Sequence, residues 1–276
     1  MRQAMPFLAA VCQLTSTSDQ ERNLGAAEAQ IRAAAGRGAQ LVATPENTNY
    51  LGPHAEKVRR AEPLDGETCT RFAALARELE IHLLLGSFNE RVAGETTRCA
   101  NTSVLFAPDG ARLATYRKIH LFDVDVPGGV TFRESETVVP GTEVVVAATP
   151  LATLGLTICY DLRFGELFRA LVARGAEAIA VPSAFTAATG KAHWEVLLRA
   201  RAIETQCFVL APAQWGQHDD GGLRESHGQA MIVDPWGQIV AQVPDGTGFA
   251  LAEIDLARVA RARRAIPVAA HRKDFF

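Results

Sequence analysis

Four side chains that could take part in nucleophilic or acid–base chemistry lie where strand-like segments end or polar loops begin. Cys159 ends an apolar strand-like run and opens a helix-like segment, and the helix N-terminus at such a turn favours thiolate. Glu46 follows another strand-like run and Pro45, a suitable place for a general base. Lys118 comes just after a third strand-like run, and Glu134 lies among polar residues. Thiol, carboxylate and ammonium groups together would suit nucleophilic catalysis.

Each of these residues also has an ordinary structural interpretation. Cys159 could be a buried core cysteine, since unpaired cysteine is among the most buried residue types. Glu46 could cap a helix or carry a surface charge, and Lys118 could be solvated on a basic patch. Glu134 by itself indicates only a loop. The spacing of single residues therefore leaves both interpretations open.

Other kinds of site have little support in the sequence. The histidines are scattered and do not form a metal-binding motif, so surface or capping roles are favoured for them. A serine triad is not indicated, because the chain contains no G-x-S-x-G elbow. The glycine pairs at 128–129 and 221–222 lack a phosphate-loop pattern. The sequence predicts no metal site.

Composition limits the compartment and the partners. Hydrophobic residues make up 48% of the chain, ample for a large core. The formal net charge is −3, which argues against a nucleic-acid or membrane-surface partner. The five cysteines are odd in number and form no CxxC pair, so we expect reduced thiols in a cytoplasmic protein. The apolar stretch 6–14 lacks a signal-peptide cleavage site and fits a first core strand. The longest uncharged run, 144–160, is too short and interrupted to span a bilayer.

Strand-like and helix-like segments alternate along the chain and must position these residues. Predicted helices run from a cap at Ser18 or Asp19 to 37, over 68–80, from Cys159 to 174 and over 193–206. Strands are predicted at 7–14, 41–44, 81–88, 101–106, 112–116, 144–148, 153–158, 178–181, 208–211, 229–233, 239–243 and 249–254. We expect the last two strands to form a closing hairpin.

The order of these elements predicts the architecture. Alternating strand–helix units at both ends surround a hairpin-rich middle, which favours an α/β fold of two mixed sheets that face each other with helices outside. The chain contains no long linker, repeat or low-complexity tract. We therefore expect one domain over residues 1–276.

Three blocks resemble the signature blocks of the nitrilase-like carbon–nitrogen hydrolase superfamily, in the same order. They are PE at 45–46, YRKIHLF at 116–122 and ICYDLRF at 158–164. The resemblance extends over nearly the whole chain and implies a four-layer αββα sandwich of two mixed sheets.

The resemblance also assigns roles to the chemical residues. It implies a triad of Glu46, Lys118 and Cys159 with Glu134 as a second glutamate. Cys159 would form a thioester acyl-enzyme while Glu46 carries protons. Lys118 and the Tyr160 N–H would stabilise the oxyanion, and Glu134 would orient Lys118. No metal or organic cofactor is required.

Further stretches resemble the branch of this superfamily that holds deaminated glutathione amidase and omega-amidase. They are DVDVPG (123–128), PSAFT (182–186), TG (189–190), HWEVLLRARAIETQC (193–207) and MIVDPWG (231–237). At 227–230 this chain has His-Gly-Gln-Ala where the branch usually has Tyr-Gly-His-Ser. The resemblance implies hydrolysis of the side-chain amide of deaminated glutathione, a metabolite-repair reaction that gives 2-oxoglutarate and cysteinylglycine. Omega-amidase activity on 2-oxoglutaramate is the nearest alternative, and a non-catalytic binding or interaction module of the same fold is a third.

The resemblance further implies a pocket for a small-molecule or short-peptide amide, and a paired molecule. We expect Tyr50, Tyr160, Phe185 and Thr186 to contact the substrate. Alternatively, Phe185 belongs to the core and Thr186 caps a turn. Family members commonly pair through helices that here would lie near 163–174 and 193–206, so we expect a homodimer or larger homo-oligomer.

Overall fold

In the computed structural model of the protein, residues 5–125, 131–219, 221 and 224–273 are described. Their strands are β1 (Phe7–Leu14), β2 (Leu41–Ala43), β3 (His82–Glu90), β4 (Ala100–Phe106), β5 (Arg112–Arg117), β6 (Asp123–Asp125), β7 (Thr131–Arg133), β8 (Val146–Ala148), β9 (Thr153–Leu156), β10 (Ala178–Ala180), β11 (Phe208–Ala211), β12 (Ala213–Gln217), β13 (Glu225–His227), β14 (Met231–Val233), β15 (Ile239–Gln242) and β16 (Gly248–Ile254). Their helices are α1 (Gln20–Gly36), α2 (His54–Lys57), α3 (Glu67–Leu79), α4 (Gly165–Ala173), α5 (Ala187–Thr205), α6 (Leu256–Ala265) and α7 (Val268–His271), with short 3₁₀ helices at Glu134–Glu136 and Cys159–Arg163.

The larger sheet is mixed. Its strand order is β13-β12-β1-β2-β3-β4-β5, and β16 also pairs with β1. Strands β1, β2 and β3 are parallel because α1 and α3 provide the crossovers between them. The strands β3, β4 and β5 continue as an antiparallel meander, which is the hairpin-rich region predicted from the sequence.

The smaller sheet is built in the same way. Its order is β15-β14-β11-β10-β9-β8, with β9, β10 and β11 parallel and the outer strands antiparallel. Helix α4 connects β9 to β10, and α5 connects β10 to β11. Strands β6 and β7 form a separate two-stranded ribbon.

Alternating side chains of the larger sheet divide the core in two. Along β1, Val11 faces the smaller sheet, while Cys12 faces α1 and α3. The stripe on α1 that includes Leu24 and Ile31 covers that outer face, and Trp194 of α5 belongs to the core around the smaller sheet. The layers are therefore helix, sheet, sheet and helix, and the predicted αββα sandwich is confirmed.

The predicted closing hairpin is wrong. Strand β15 pairs with β14 in the smaller sheet, whereas β16 pairs with β1 in the larger one. Strand β12 pairs with β1 only at Gln13 and Leu14, so most backbone groups on that edge of β1 are left for β16 to satisfy. The hairpin was predicted because β15 and β16 are neighbours in sequence, but the unpaired edge of β1 determines where β16 pairs.

Two predicted helices have different bounds. The segment after Cys159 is not one continuous helix, because Phe164 is extended between the 3₁₀ helix and α4. The next helix begins at Ala187, six residues before the predicted start at His193. Strands β12 and β13 and helix α6 were not predicted at all. No helix in the described part of the chain is long and apolar enough to cross a membrane.

Candidate active site

Glu46 lies just beyond the end of β2. Asn47 has a left-handed backbone with φ 56°, and its N–H donates to Ser87 Oγ at 2.9 Å. Gly86 permits this approach: a Cβ there would lie 1.8 Å from the Thr44 carbonyl oxygen. The neighbouring strand β3 thus fixes the backbone that presents Glu46.

Cys159 lies beyond the end of β9 and begins the 3₁₀ helix. Its φ is 48°, a left-handed conformation that is uncommon for a residue with a side chain. Its N–H donates to the Pro182 carbonyl oxygen at 3.0 Å, beyond the end of neighbouring β10. Because β9 and β10 are parallel, their carboxyl ends meet at one edge, and the nucleophile candidate lies at that edge.

Lys118 follows β5 and is 2% exposed. Its Nζ donates to Glu46 Oε1 at 3.0 Å and to Glu134 Oε2 at 2.8 Å. An ammonium group has three protons, so these two bonds leave one for another acceptor. Lys118 is therefore a buried, doubly paired cation, and its interpretation as a solvated surface charge is wrong.

Glu134 and Asn101 complete the cluster. Glu134 Oε2 also accepts the Phe122 N–H at 2.7 Å, which fixes the carboxylate. Asn101 on β4 donates from Nδ2 to Glu46 Oε1 at 2.8 Å and to Glu134 Oε1 at 3.3 Å. The Ala184 N–H donates to Glu46 Oε2 at 2.8 Å. Both carboxylates are thus held by several donors and are largely buried.

The mutual contacts of this cluster fix its charges. Burial alone would lower the pKa of Lys118, but the carboxylates of Glu134 and Glu46 raise it well above its ordinary value. Burial alone would raise the pKa of Glu134, but Lys118 and Lys57 lower it below its ordinary value. At neutral pH the site therefore holds an ammonium group beside an ionised Glu134.

The Cys159 thiol, in contrast, is kept in its uncharged form. Burial and the adjacent Glu46 carboxylate raise the pKa of the thiol well above its ordinary value, and Lys118 only partly opposes them. The expectation that the helix terminus favours thiolate is therefore wrong for the resting protein, because loss of solvent outweighs it. The thiol is therefore neutral, and the neighbouring Glu46 carboxylate is available as its proton acceptor.

Asp161 joins the nucleophile turn to the segment that carries Lys118. Its Oδ2 accepts the Ile158 N–H at 2.8 Å and the Tyr116 hydroxyl at 2.6 Å. Its Oδ1 accepts the His120 N–H at 3.0 Å and contacts His120 Nδ1 at 2.7 Å. This fully buried carboxylate holds the two sequence blocks in a fixed relation.

A cavity of about 560 Å³, counted with its open mouth, lies over these groups. Four cationic side chains and two carboxylates line it, together with aromatic and small polar residues. The lining consists of Glu46, Asn47, His54, Lys57, Lys118, Phe122, Phe132, Glu134, Cys159, Tyr160, Arg163, Ala184, Phe185, Thr186, Thr189 and Arg224. Within the described ranges, no three His, Cys, Asp or Glu side chains are grouped to hold a metal ion.

Three of the four predicted substrate-contacting residues line this cavity: Tyr160, Phe185 and Thr186. Phe185 also packs on Trp194 in the core, and Thr186 lies at the start of α5 with its Oγ1 2.8 Å from Thr189 Oγ1. Phe185 thus belongs to both the core and the cavity lining, whereas Thr186, the N-cap residue of α5, makes no side-chain capping hydrogen bond. Tyr50 is buried, does not line this cavity and donates to the Pro53 carbonyl oxygen at 2.9 Å, so its contact with the substrate stays a prediction.

Sequence reasoning missed several residues of the site. Asn101 resembles an ordinary polar strand residue, and only the pairing of β4 with its neighbours reveals its role. Lys57 and Arg224 line the cavity without any mark in the local sequence, and Arg163 lines it too but was given no role, although it lies in the block at 158–164. The scarcity of lysine was the one available signal, since the chain has only four, two of which are Lys57 and Lys118.

A buried cysteine, glutamate and lysine at the strand ends of an αββα sandwich agree with the family comparison. The sequence profile of the carbon–nitrogen hydrolase family matches residues 8–264. The chain therefore belongs to the carbon–nitrogen hydrolase family, and its resemblance to the nitrilase superfamily is confirmed.

Individual relatives are similar over nearly the whole chain. Deaminated glutathione amidase from Synechocystis sp. is 46% identical, over 97% of this chain and 98% of the relative. Human Omega-amidase NIT2 is 40% identical, over 95% of this chain and 93% of the relative. The crystal structure of the C. elegans NitFhit protein superposes with a TM-score of 0.91 at 42% identity, and it covers 97% of this chain. This chain spans 65% of the length of that NitFhit chain.

The positions that depart from the branch pattern lie outside the cavity lining. Gln229 Nε2 donates to Asp245 Oδ1 at 2.8 Å, and Ala230 is fully buried with its N–H on Gln13 Oε1 at 2.8 Å. Residues 126–128 of the branch-like stretch 123–128 lie outside the described residues.

Proposed function

We propose that this protein is an amidase that hydrolyses the side-chain amide of deaminated glutathione through Cys159. The observation that carries the proposal is the buried cluster of Glu46, Lys118 and Glu134 against the thiol, under a cavity with more cationic than anionic side chains. Deaminated glutathione has a carboxylate at each end, which suits that excess of positive charge. The relative named deaminated glutathione amidase, 46% identical, supports the same substrate.

In the first half of the proposed reaction, sulfur attacks the amide carbon as the Cys159 thiol gives its proton to Glu46. Because the resting thiol is neutral, it needs a proton acceptor at the moment of attack, and the neighbouring Glu46 carboxylate is that acceptor. The carbonyl oxygen becomes an oxyanion, which accepts a hydrogen bond from the remaining N–H of the Lys118 ammonium group. The Tyr160 N–H, in the first turn of the 3₁₀ helix, is the second donor, and such a donor is worth about 3–4 kcal/mol.

In the second half, the carbon–nitrogen bond breaks and Glu46 returns its proton to the departing amine of cysteinylglycine. Water then attacks the thioester carbon while Glu46 accepts a proton from it. The carbon–sulfur bond breaks, sulfur recovers the proton, and 2-oxoglutarate leaves. Glu134 stays ionised and positions Lys118 through the 2.8 Å hydrogen bond.

Omega-amidase activity on 2-oxoglutaramate is the second candidate. The 40% identity to human Omega-amidase NIT2 favours it, and the same groups would carry out the chemistry with ammonia as the leaving group. A comparison of kcat/KM on deaminated glutathione and 2-oxoglutaramate separates the two, since our proposal requires the higher value on deaminated glutathione.

The nucleophile is tested by Cys159→Ala. We expect turnover to be lost while the circular dichroism spectrum is retained, and mass spectrometry of the wild type to find the acyl adduct on Cys159 alone. Cys12→Ala is the matched control, since Cys12 is also buried but faces the outer helices. Substantial turnover by Cys159→Ala would refute the mechanism, and a wild type that binds both amides without hydrolysing them would indicate a non-catalytic module.

We also propose that the protein is a homodimer in the cytoplasm. The outward face of α5 supports the dimer: Val196 and Ile203 are 65% and 52% exposed, two helical turns apart on one side. The cytoplasmic location is supported by five cysteines that are buried and unpaired.

A further inference from the structure

Lys57 is a buried cation that the proposed mechanism does not use. It ends α2, lines the cavity and is 8% exposed. Among the described residues, none accepts a hydrogen bond from its ammonium group or forms an ion pair with it. The two carboxylates of the cavity, Glu46 and Glu134, are bonded to Lys118 instead. Lysine is rarely buried without a counter-charge, so this group suits an anion that arrives with the substrate.

The position of Lys57 in the cavity indicates which part of the substrate it would contact. Lys57 and Arg224 line both the catalytic cavity and an adjoining hollow of about 170 Å³, which Tyr50 and Gly52 help to enclose. These two cations therefore border both spaces.

A different cation lies on the nucleophile turn. Arg163 follows Cys159 by four residues, and its guanidinium packs 5.8 Å from the Tyr160 ring centroid and 5.1 Å from that of Phe185. Arg224 packs instead on Phe132, at 5.6 Å. The cations outside the triad therefore contact two different sets of aromatic residues, which fits a substrate with two separated carboxylates.

We infer that Lys57 is a specificity-determining residue that binds the terminal carboxylate of the leaving peptide. This inference rests on the proposed function, because only a peptide leaving group carries that carboxylate. In an extended dipeptide the carboxylate lies about 7 Å from the amine, so it reaches beyond the reacting atoms toward the adjoining hollow. Arg163 is left for the 2-oxo acid end.

A purely structural role for Lys57 makes a different prediction. Lys57 lowers the pKa of Glu134, so in this alternative its sole role is to keep that carboxylate ionised. Glu134 would serve every amide substrate in the same way. Loss of Lys57 would then reduce activity on all substrates equally, whereas a carboxylate contact affects only substrates that carry the carboxylate.

The first test needs no variant. The wild-type protein is assayed on deaminated glutathione and on its C-terminal amide, in which the glycine carboxylate becomes a carboxamide. We expect kcat/KM to fall about 10- to 100-fold on the amide, the range of one charged hydrogen bond. Equal values on the two compounds would overturn the inference while leaving the proposed function intact. Hydrolysis of neither compound, nor of 2-oxoglutaramate, would overturn both.

The second test removes the cation. Lys57→Met keeps the length of the side chain, and Lys273→Met, at an exposed position far along the chain, is the matched control. On deaminated glutathione we expect Lys57→Met to lose about 10- to 100-fold in kcat/KM, and on the C-terminal amide and 2-oxoglutaramate a much smaller factor. An equal loss on all three substrates would assign Lys57 to Glu134 and reject the inference. If Lys57→Met does not fold, the wild-type comparison alone decides.

Discussion

Lys118 is the residue on which the proposed chemistry depends most. Its ammonium group joins the general base to the second glutamate and retains one proton for the substrate oxygen. The compactness of that group matters, because both carboxylates are buried and fixed by other donors. A larger cation would have to displace at least one of them.

Replacement of Lys118 by arginine keeps the positive charge but changes the shape of the cation, so it tests whether a compact group is required. We expect Lys118→Arg to lower kcat at least about 100-fold, because a planar guanidinium cannot occupy the position of an ammonium group. Arg117→Lys is the matched control: it exchanges the same residue types one position earlier, in a pair with Glu90 outside the cavity. Steady-state kinetics of both variants, with melting temperatures, measure the effect. Near-normal turnover by Lys118→Arg would contradict the proposed role.

Among the elements, the approach of β3 to the end of β2 controls where Glu46 lies. The approach depends on Gly86, where a Cβ would also lie 2.4 Å from the Pro45 carbonyl oxygen. Ser87 then supplies the hydrogen bonds that hold Asn47 and Thr48. Residues of β3, rather than of β2, thus position the general base Glu46.

Gly86→Ala should therefore damage activity through the backbone. We expect the methyl group to push residues 44–46 out of place and to lower kcat/KM more than tenfold, with a loss of stability of about 1–3 kcal/mol from overpacking. Gly25→Ala is the matched control, since a Cβ at Gly25 of α1 meets no atom within 4 Å and alanine favours a helix. Urea unfolding and kinetics of both variants provide the comparison. Equal activity of the two would show that Gly86 does not position Glu46.

The elements also explain which parts of the site could be predicted from sequence. Glu46 and Cys159 lie just after apolar runs, and a local apolar pattern indicates that a strand is present. Asn101 reaches Glu46 across 55 residues of chain, and Lys57 enters the cavity from a four-residue helix. These contacts arise from strand pairing and loop packing, which periodicity does not encode. The pairing of β16 with β1 was missed for the same reason.

At the scale of the whole molecule, the two sheets share one core. Leu84 and Leu105 of the larger sheet pack in the same cluster as Leu156 and Ile179 around the smaller one. Glu46 and Lys118 follow strands of the larger sheet, and Cys159 follows a strand of the smaller one. The proposed site therefore requires both sheets, and this supports our proposal of one domain over residues 1–276.

The proposed dimer makes a prediction about mass in solution. We expect the wild type to scatter light as a particle of twice 29.7 kDa, and Ile203→Glu to give the single mass, because a charge on the apolar face of α5 cannot be buried. Leu113→Glu changes an exposed leucine on β5 and should leave the mass at the wild-type value. A wild-type particle of 29.7 kDa at micromolar concentration would remove the dimer proposal.

Because the backbone at Cys159 is left-handed, selection for stability and selection for activity favour different residues at this one position. For a residue with a side chain, this conformation costs about 1–2 kcal/mol, whereas glycine adopts it freely. The substitution that best relieves the local backbone is therefore one that removes the nucleophile. Relatives that drift away from catalysis should accept glycine at this position readily, and a search for more thermostable variants that ignores turnover would be drawn to the same change.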